Sequence, residues 1–288
     1  MQNIVYWRNF MKEQSWGKII AATLLGIVGL FSTQIILGFP LLPLFEYNQN
    51  LGVLVFVPLV NISVILIAYL IIRYFLKDSP SAYGLKRVSF NWKWVVLVTL
   101  LPLIVTAIIA ILLGGKLGAI GTNFPFAETF VGGIIYTGFL GSVTEEVIFH
   151  ALIYSLFRQK LSVWWAALVT AIIFALVHLP NDNANWTITT FSQFFFSAVA
   201  IAILFAYITE SSDSIWNAAW GHVVWNIMVY FINISPKWQD NFLVNIIISK
   251  DVPLISGGEG GLTGSIITPL VCLLGSAAIA WRLKKQRI

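Results

Sequence analysis

The chain reads as an all-α membrane protein, a polytopic helix bundle of about eight transmembrane helices with N and C termini cytoplasmic. Three observations predict this class. Of 288 residues, 58% are hydrophobic and only 10% are charged, against roughly a quarter charged in an ordinary soluble domain. Eight apolar runs are long enough to cross about 30 Å of hydrocarbon, which takes roughly 20 helical residues. The basic residues collect on alternate connections between these runs, as the positive-inside rule requires.

The first run, 19–39, follows a polar stretch containing Arg8, Lys12 and Lys18. It is too long for a signal-peptide core and no A-x-A-like site follows it, so it reads as a retained helix. Residues 1–16, with Val5, Trp7, Phe10 and Met11 among polar neighbours, suit a place along the interface. Runs two and three, 51–75 and 94–114, flank an inner loop holding Tyr83-Gly-Leu-Lys-Arg87. There Gly84 suits a turn, and the cations suit lipid headgroups. Runs four and five are 131–157 and 162–180, and Pro180 should end or kink the fifth. Run six, 190–209, has a start diluted by Thr187, Thr189, Thr190, Ser192 and Gln193, and runs seven and eight are 214–234 and 262–281. The Gly-rich stretch 256–264 lacks the Lys-Ser/Thr ending and preceding strand of a phosphate loop. It reads as a flexible external loop. No internal repeat and no soluble-domain boundary is visible, so 1–288 reads as one integral membrane domain.

With the N terminus inside, 14 of the 17 Lys and Arg residues fall on inner flanks, and only Lys116, Lys237 and Lys250 fall outside. The formal charge of +5 is then mostly a record of orientation, which removes the motive for a nucleic-acid partner. The tail 282–288 suits anionic headgroups. Tryptophans 16, 92, 94, 164, 165, 186, 238 and 281 lie near span ends, as an aromatic belt requires. Cys272 is the one cysteine, so an intrachain disulfide and a cysteine-based metal cluster are excluded.

Two adjacent glutamates, Glu145 and Glu146, fall inside run four. Ionisable residues in a span are costly, usually face a bundle interior or aqueous cavity, and mark function. All three histidines, His150, His178 and His222, also fall in predicted spans, as does Asn226. Counting about 1.5 Å of rise per helical residue from the inner span ends, Glu145 lies roughly 20 Å deep, His178 roughly 25 Å and His222 roughly 13 Å. One shared polar site near mid-membrane is compatible with these depths once helix tilt is included.

Successive helical residues point about 100° apart, so the two glutamates should have different roles. Glu146 and His150 are spaced i,i+4 and share a face, which suits an ion pair or hydrogen bond. Glu145 is left for the cavity, where a carboxylate can act as general base toward water. His222 and Asn226 are also i,i+4 and together can donate to a developing oxyanion.

These residues resemble the motif set of the CAAX prenyl protease 2 and bacteriocin-processing family, the CPBP or Abi intramembrane proteases. That family's pattern is Glu-Glu-x-x-x-Arg, Phe-x-x-x-His and His-x-x-x-Asn on successive helices. Here it reads Glu145-Glu146-Val-Ile-Phe-His150, Phe174-Ala-Leu-Val-His178 and His222-Val-Val-Trp-Asn226, within a motif core of about 130–230. The resemblance implies an endopeptidase of the cell membrane of a prokaryote, in which Glu145 and His178 activate water, and His222 and Asn226 stabilise the oxyanion. Glu146 would support the site from behind. Its substrate would be a membrane peptide or protein, such as a CAAX-type tail or a bacteriocin-like precursor. One position departs: His150 stands where the family has arginine. Histidine is smaller and can be neutral, so its support for Glu146 should be weaker and dependent on pH.

Glu145, His178 and His222 also make the His₂Glu set of a hydrolytic zinc site. The HExxH helix motif is absent, and a glutamate base needs no ion, so both routes stay open. Two readings from other classes remain beside the protease. One is a non-catalytic membrane protein acting in immunity or as a scaffold. The other is a proton or ion carrier, against which stands the lack of a duplicated or inverted half.

Overall fold

The computed structural model describes residues 11–121, 130–178 and 187–285. Each of the eight apolar runs coincides with a helix: α1 (Trp16–Tyr47), α2 (Gln49–Leu70), α3 (Trp92–Leu113), α4 (Phe130–Arg158), α5 (Val163–Val177), α6 (Ile188–Ser212), α7 (Trp216–Phe231) and α8 (Ile267–Lys285). Six of them, α1, α2 with its extension to Phe75, α3, α4, α6 and α8, are long and apolar enough to cross a membrane. The expected number was eight. The other two, α5 and α7, have 15 and 16 residues, which at about 1.5 Å each falls short of the bilayer core.

Helix starts follow local chemistry. The Ser15, Asn48, Asn91, Ser162 and Thr187 side chains each accept a main-chain N–H of the first turn of α1, α2, α3, α5 and α6, satisfying one of the donors that a helix end leaves orphaned. Some boundaries differ from the apolar pattern. Helix α1 runs through Pro40 and Pro43 to Tyr47, because in an apolar setting neighbouring helices can compensate for the lost donors. Pro180, Trp186 and the first ten residues lie outside the described residues. Residues 12–14 are tied to the protein interior: Lys12 N–H donates to Asp78 Oδ2 at 2.8 Å, and Gln14 N–H to Gln159 Oε1 at 2.9 Å.

Helix α6 is the centre of the bundle, buried almost continuously from Ser197 to Glu210 and packed against α5, α7 and α8. Ala198, Ala200, Ala202 and Ala206 supply the small surfaces that let membrane helices approach. Helices α1 to α3 instead expose Ile35, Ile36, Phe39, Ile62 and Ile111, an apolar belt suited to lipid. At the end where α1 begins and α8 finishes, Lys86 pairs with Asp213, and Arg158 reaches Glu210 at 3.4 Å. Lys86, expected among headgroups, thus joins the inner loop to the α6–α7 turn. Gly84, at φ +77°, makes the turn that the sequence suggested.

Two features were not anticipated. A small sheet closes the opposite end, with β1 (Lys116–Leu117), β2 (Ile232–Ser235) and β3 (Val244–Ile247) in the order β1-β3-β2. β1 is antiparallel to β3, and β2 is parallel to it. The Gly-rich stretch, expected as a flexible loop, folds into one-turn helices at Pro253–Ser256 and Gly261–Gly264. Ser265 Oγ donates to the Ile255 carbonyl at 2.5 Å and pins it. Gly257 and Gly261, with φ of +88° and +49°, supply the left-handed turns that other residues adopt at a cost.

Candidate active site

Helix α4 carries the glutamate pair on an irregular scaffold. Wide π-helical turns occupy Phe130–Gly141 and Val147–Tyr154, and a regular α turn, Ser142–Glu146, sits between them. Such departures inside helices recur at functional sites. Two glycines let α7 come close to α4: Gly133 lies against the Tyr230 ring, and a Cβ on Gly138 would sit 2.8 Å from Ile227 Cγ1. This approach delivers His222 and Asn226 to the glutamates.

The structure brings all six sequence-selected side chains together. Glu145 Oε2 lies 3.1 Å from His178 Nε2 and 3.5 Å from His222 Nε2. Glu146 lies behind it, with Oε1 2.9 Å from His222 Nδ1 and Oε2 2.7 Å from His150 Nδ1. Glu145 is a quarter exposed, whereas Glu146 and His150 are sealed. The two side chains point apart, as the 100° offset predicts: Glu145 lines the cavity, and Glu146 lies against His150 and His222. Asn226 Nδ2 donates to Ser142 Oγ at 3.0 Å.

Hydrogen-bond partners assign the ring protons. His178 Nδ1 lies 2.7 Å from the Phe174 carbonyl and His150 Nε2 lies 3.0 Å from the Ala202 carbonyl. A carbonyl only accepts, so both nitrogens carry hydrogen. On its other side His150 places Nδ1 2.7 Å from Glu146 Oε2. His150 thus packs directly against the sealed carboxylate of Glu146, at the position where the motif resemblance expects an arginine. With Nδ1 of His178 turned to the Phe174 carbonyl, its Nε2 faces Glu145 Oε2.

A cavity of about 270 Å³ opens onto this group, lined by Glu145, His178, His222 and Asn226 together with Phe174, Trp225 and Tyr230. Phe174 stacks on His178 with ring centroids 4.0 Å apart, giving the motif phenylalanine a physical task in orienting the imidazole. Sequence reasoning missed Ser142, Thr137 and Tyr230. Tyr230 is one turn beyond Asn226, and its hydroxyl lies 3.2 Å from Thr137 Oγ1. Its i,i+4 relation to Asn226 was the available signal. Ser142, three residues before Glu145, had a similar one.

Residues 127–228 match the family model described as type II CAAX prenyl endopeptidase Rce1-like. Over 125 residues the chain is 26% identical to "Putative membrane peptidase YdiL" of Bacillus subtilis (strain 168), a match covering 43% of this chain and 45% of that protein. The motif-bearing part of the chain is thus similar to the family that its motifs indicate. The match spans less than half the length of the relative.

Proposed function

We propose that the chain is an intramembrane endopeptidase that hydrolyses a peptide bond in a membrane-associated substrate, of the kind of a CAAX-type tail or a bacteriocin-like precursor. The observation that supports this most is the meeting of Glu145, His178, His222 and Asn226, from three helices, at one cavity in an apolar bundle. Glu145, steadied by His178, takes a proton from water as the oxygen attacks the peptide carbonyl. It then passes that proton to the leaving amine. His222 and Asn226 face the same space and donate to the oxyanion of the tetrahedral intermediate. Glu146 lies 2.9 Å from His222 Nδ1 and fixes the ring with Nε2 turned toward Glu145 and the cavity. In this reading the eight helices lie in the cell membrane of a prokaryote, with both termini cytoplasmic.

A zinc ion would be held by Glu145, His178 and His222 and would polarise the carbonyl as a Lewis acid. The glutamate route above needs no ion, so a chelator separates the two. The test is cleavage of a peptide library by the purified protein, with and without chelator, compared with Glu145→Ala and His178→Ala. Loss of cleavage in both variants at normal protein level is expected. A well-folded protein that cleaves nothing would favour the non-catalytic immunity or scaffold reading.

A further inference from the structure

A second, larger space of about 740 Å³ lies at the sheet end of the bundle. Strand β2 and Pro236 form one wall, and the folded segment from Asp251 to Leu262 forms the other. It adjoins the catalytic cavity at two points. Val229, on α7 just past Asn226, lines both spaces, and Leu262 lines the groove while the next residue, Thr263, lines the cavity.

Among the described residues β2 is an edge strand, with β3 on one side only. The Ser235 carbonyl accepts from Ile248 N–H at 3.2 Å, so Ser235 faces β3. In a parallel ladder the two main-chain groups of a residue face the same neighbour, and successive residues alternate. Asn233 therefore also faces β3, while Ile234 turns its N–H and carbonyl away from it. The Ile232 carbonyl turns the same way, its N–H being held by Met228 at the end of α7. A row of main-chain groups of this kind is a template for an added strand. Two carboxylates, Asp251 and Glu259, line the groove, and no Lys or Arg does among its described lining residues.

We infer that this groove binds an extended polypeptide bearing cationic side chains, which adds as a strand to the free edge of β2 and leads past Val229 to Glu145. The purpose of the site rests on the protease reading, of which it names the substrate conformation and charge. Asn226 and Phe231 are five residues apart on α7, about 8 Å along the helix. Roughly two or three extended residues therefore separate the strand-paired segment from the bond to be cut. The groove lies at the end away from Arg158, Lys160 and the last turn of α8, so the peptide arrives from the side opposite the basic one.

The probe is a fluorescent ten-residue peptide of alternating valine and lysine, titrated into the Glu145→Ala protein in nanodiscs and followed by anisotropy. Two further peptides are N-methylated at the valines or at the lysines, and a fourth carries glutamate for lysine. Only one set of alternate amides can face β2, so methylating that set is expected to weaken binding roughly five- to ten-fold per lost main-chain hydrogen bond. The other set is expected to have little effect. The glutamate peptide is expected to bind more weakly, and Glu259→Lys to reverse that preference. Ile234→Pro, which removes the edge-facing N–H, should mimic methylation. Because that variant can fail to fold, the methylated peptides on unchanged protein carry the test. Equal loss with both methylated peptides, indifference to charge, or no binding of the valine–lysine peptide would overturn the groove. Cleavage by wild type without dependence on methylation parity would overturn it and leave the protease reading intact. Parity-dependent binding without cleavage would do the reverse.

Discussion

Exchanging Glu146 for glutamine alters one atom of a sealed side chain and separates two jobs the carboxylate performs. Glutamine keeps an oxygen that accepts from His222 Nδ1, now 2.9 Å away. Its amide N–H₂ can donate to His150 Nδ1, now 2.7 Å from the carboxylate, provided His150 is neutral and still donates from Nε2 to Ala202. The fold is therefore expected to survive. The charge behind His222 is lost, however. A hydrogen bond to a charged group contributes about 1.5–3 kcal/mol and a neutral one about 0.5–1.5, so about 1–2 kcal/mol of support for His222 disappears, or roughly a 5- to 30-fold loss of rate. His150→Ala does the opposite kind of damage. It leaves a fully buried carboxylate unpaired at Oε2, at a cost of about 3–5 kcal/mol. In the double variant no unpaired carboxylate remains at this position, so its stability loss should be smaller than the sum of the single losses by about 2 kcal/mol or more. Thermal unfolding of the four proteins in detergent, alongside their peptide cleavage, measures both quantities. Additive stability losses, or a His150→Ala protein as stable as wild type, would refute the coupling of His150 to Glu146.

Asn226→Ala should lower turnover by about 10²–10³-fold with little change in stability if its amide meets the oxyanion, which steady-state kinetics on a cleaved library peptide would show. Ser142→Ala removes the hydroxyl that accepts from Asn226 Nδ2 and should cost a smaller factor, with Ser142→Thr restoring part of it. Gly138→Ala places a Cβ 2.6 Å from the Gly133 carbonyl oxygen. It is expected to push α7 outward, lose about 1–3 kcal/mol in thermal unfolding and reduce cleavage. Asp213 sits at φ +55° and pairs with Lys86, so Asp213→Gly should stay within about 1 kcal/mol of wild type while Asp213→Val loses more. Unfolding midpoints of the two variants decide this.

The positions of the helices were legible because each crossing must be apolar over a fixed length. The caps Ser15, Asn48, Asn91 and Ser162, which place the starts of four helices, were seen only in the structure. The sequence did not show that α5 and α7 are short. Helix α5 stops at Val177, and α7 gives way at Ile232 to strand β2 inside what reads as one apolar run. The sheet escaped notice because its strands have two to four residues each and borrow their stability from pairing across the chain. The Gly-rich segment looked like a loop because glycine permits many conformations, and only packing against its neighbours selects one.

Composition, hydropathy and spacing by themselves determined that the chain is a membrane helix bundle, and that Glu145, Glu146, three histidines and Asn226 lie where charge is costly. The i,i+4 rule paired Glu146 with His150 because that relation is internal to one helix. Only the tertiary structure decided that Glu146 also holds His222, that Ala202 fixes the ring of His150, and that a groove beside β2 opens toward Glu145. Each of these contacts joins residues far apart in sequence, and their distances depend on how closely α4, α6 and α7 approach, which small residues on several helices control together.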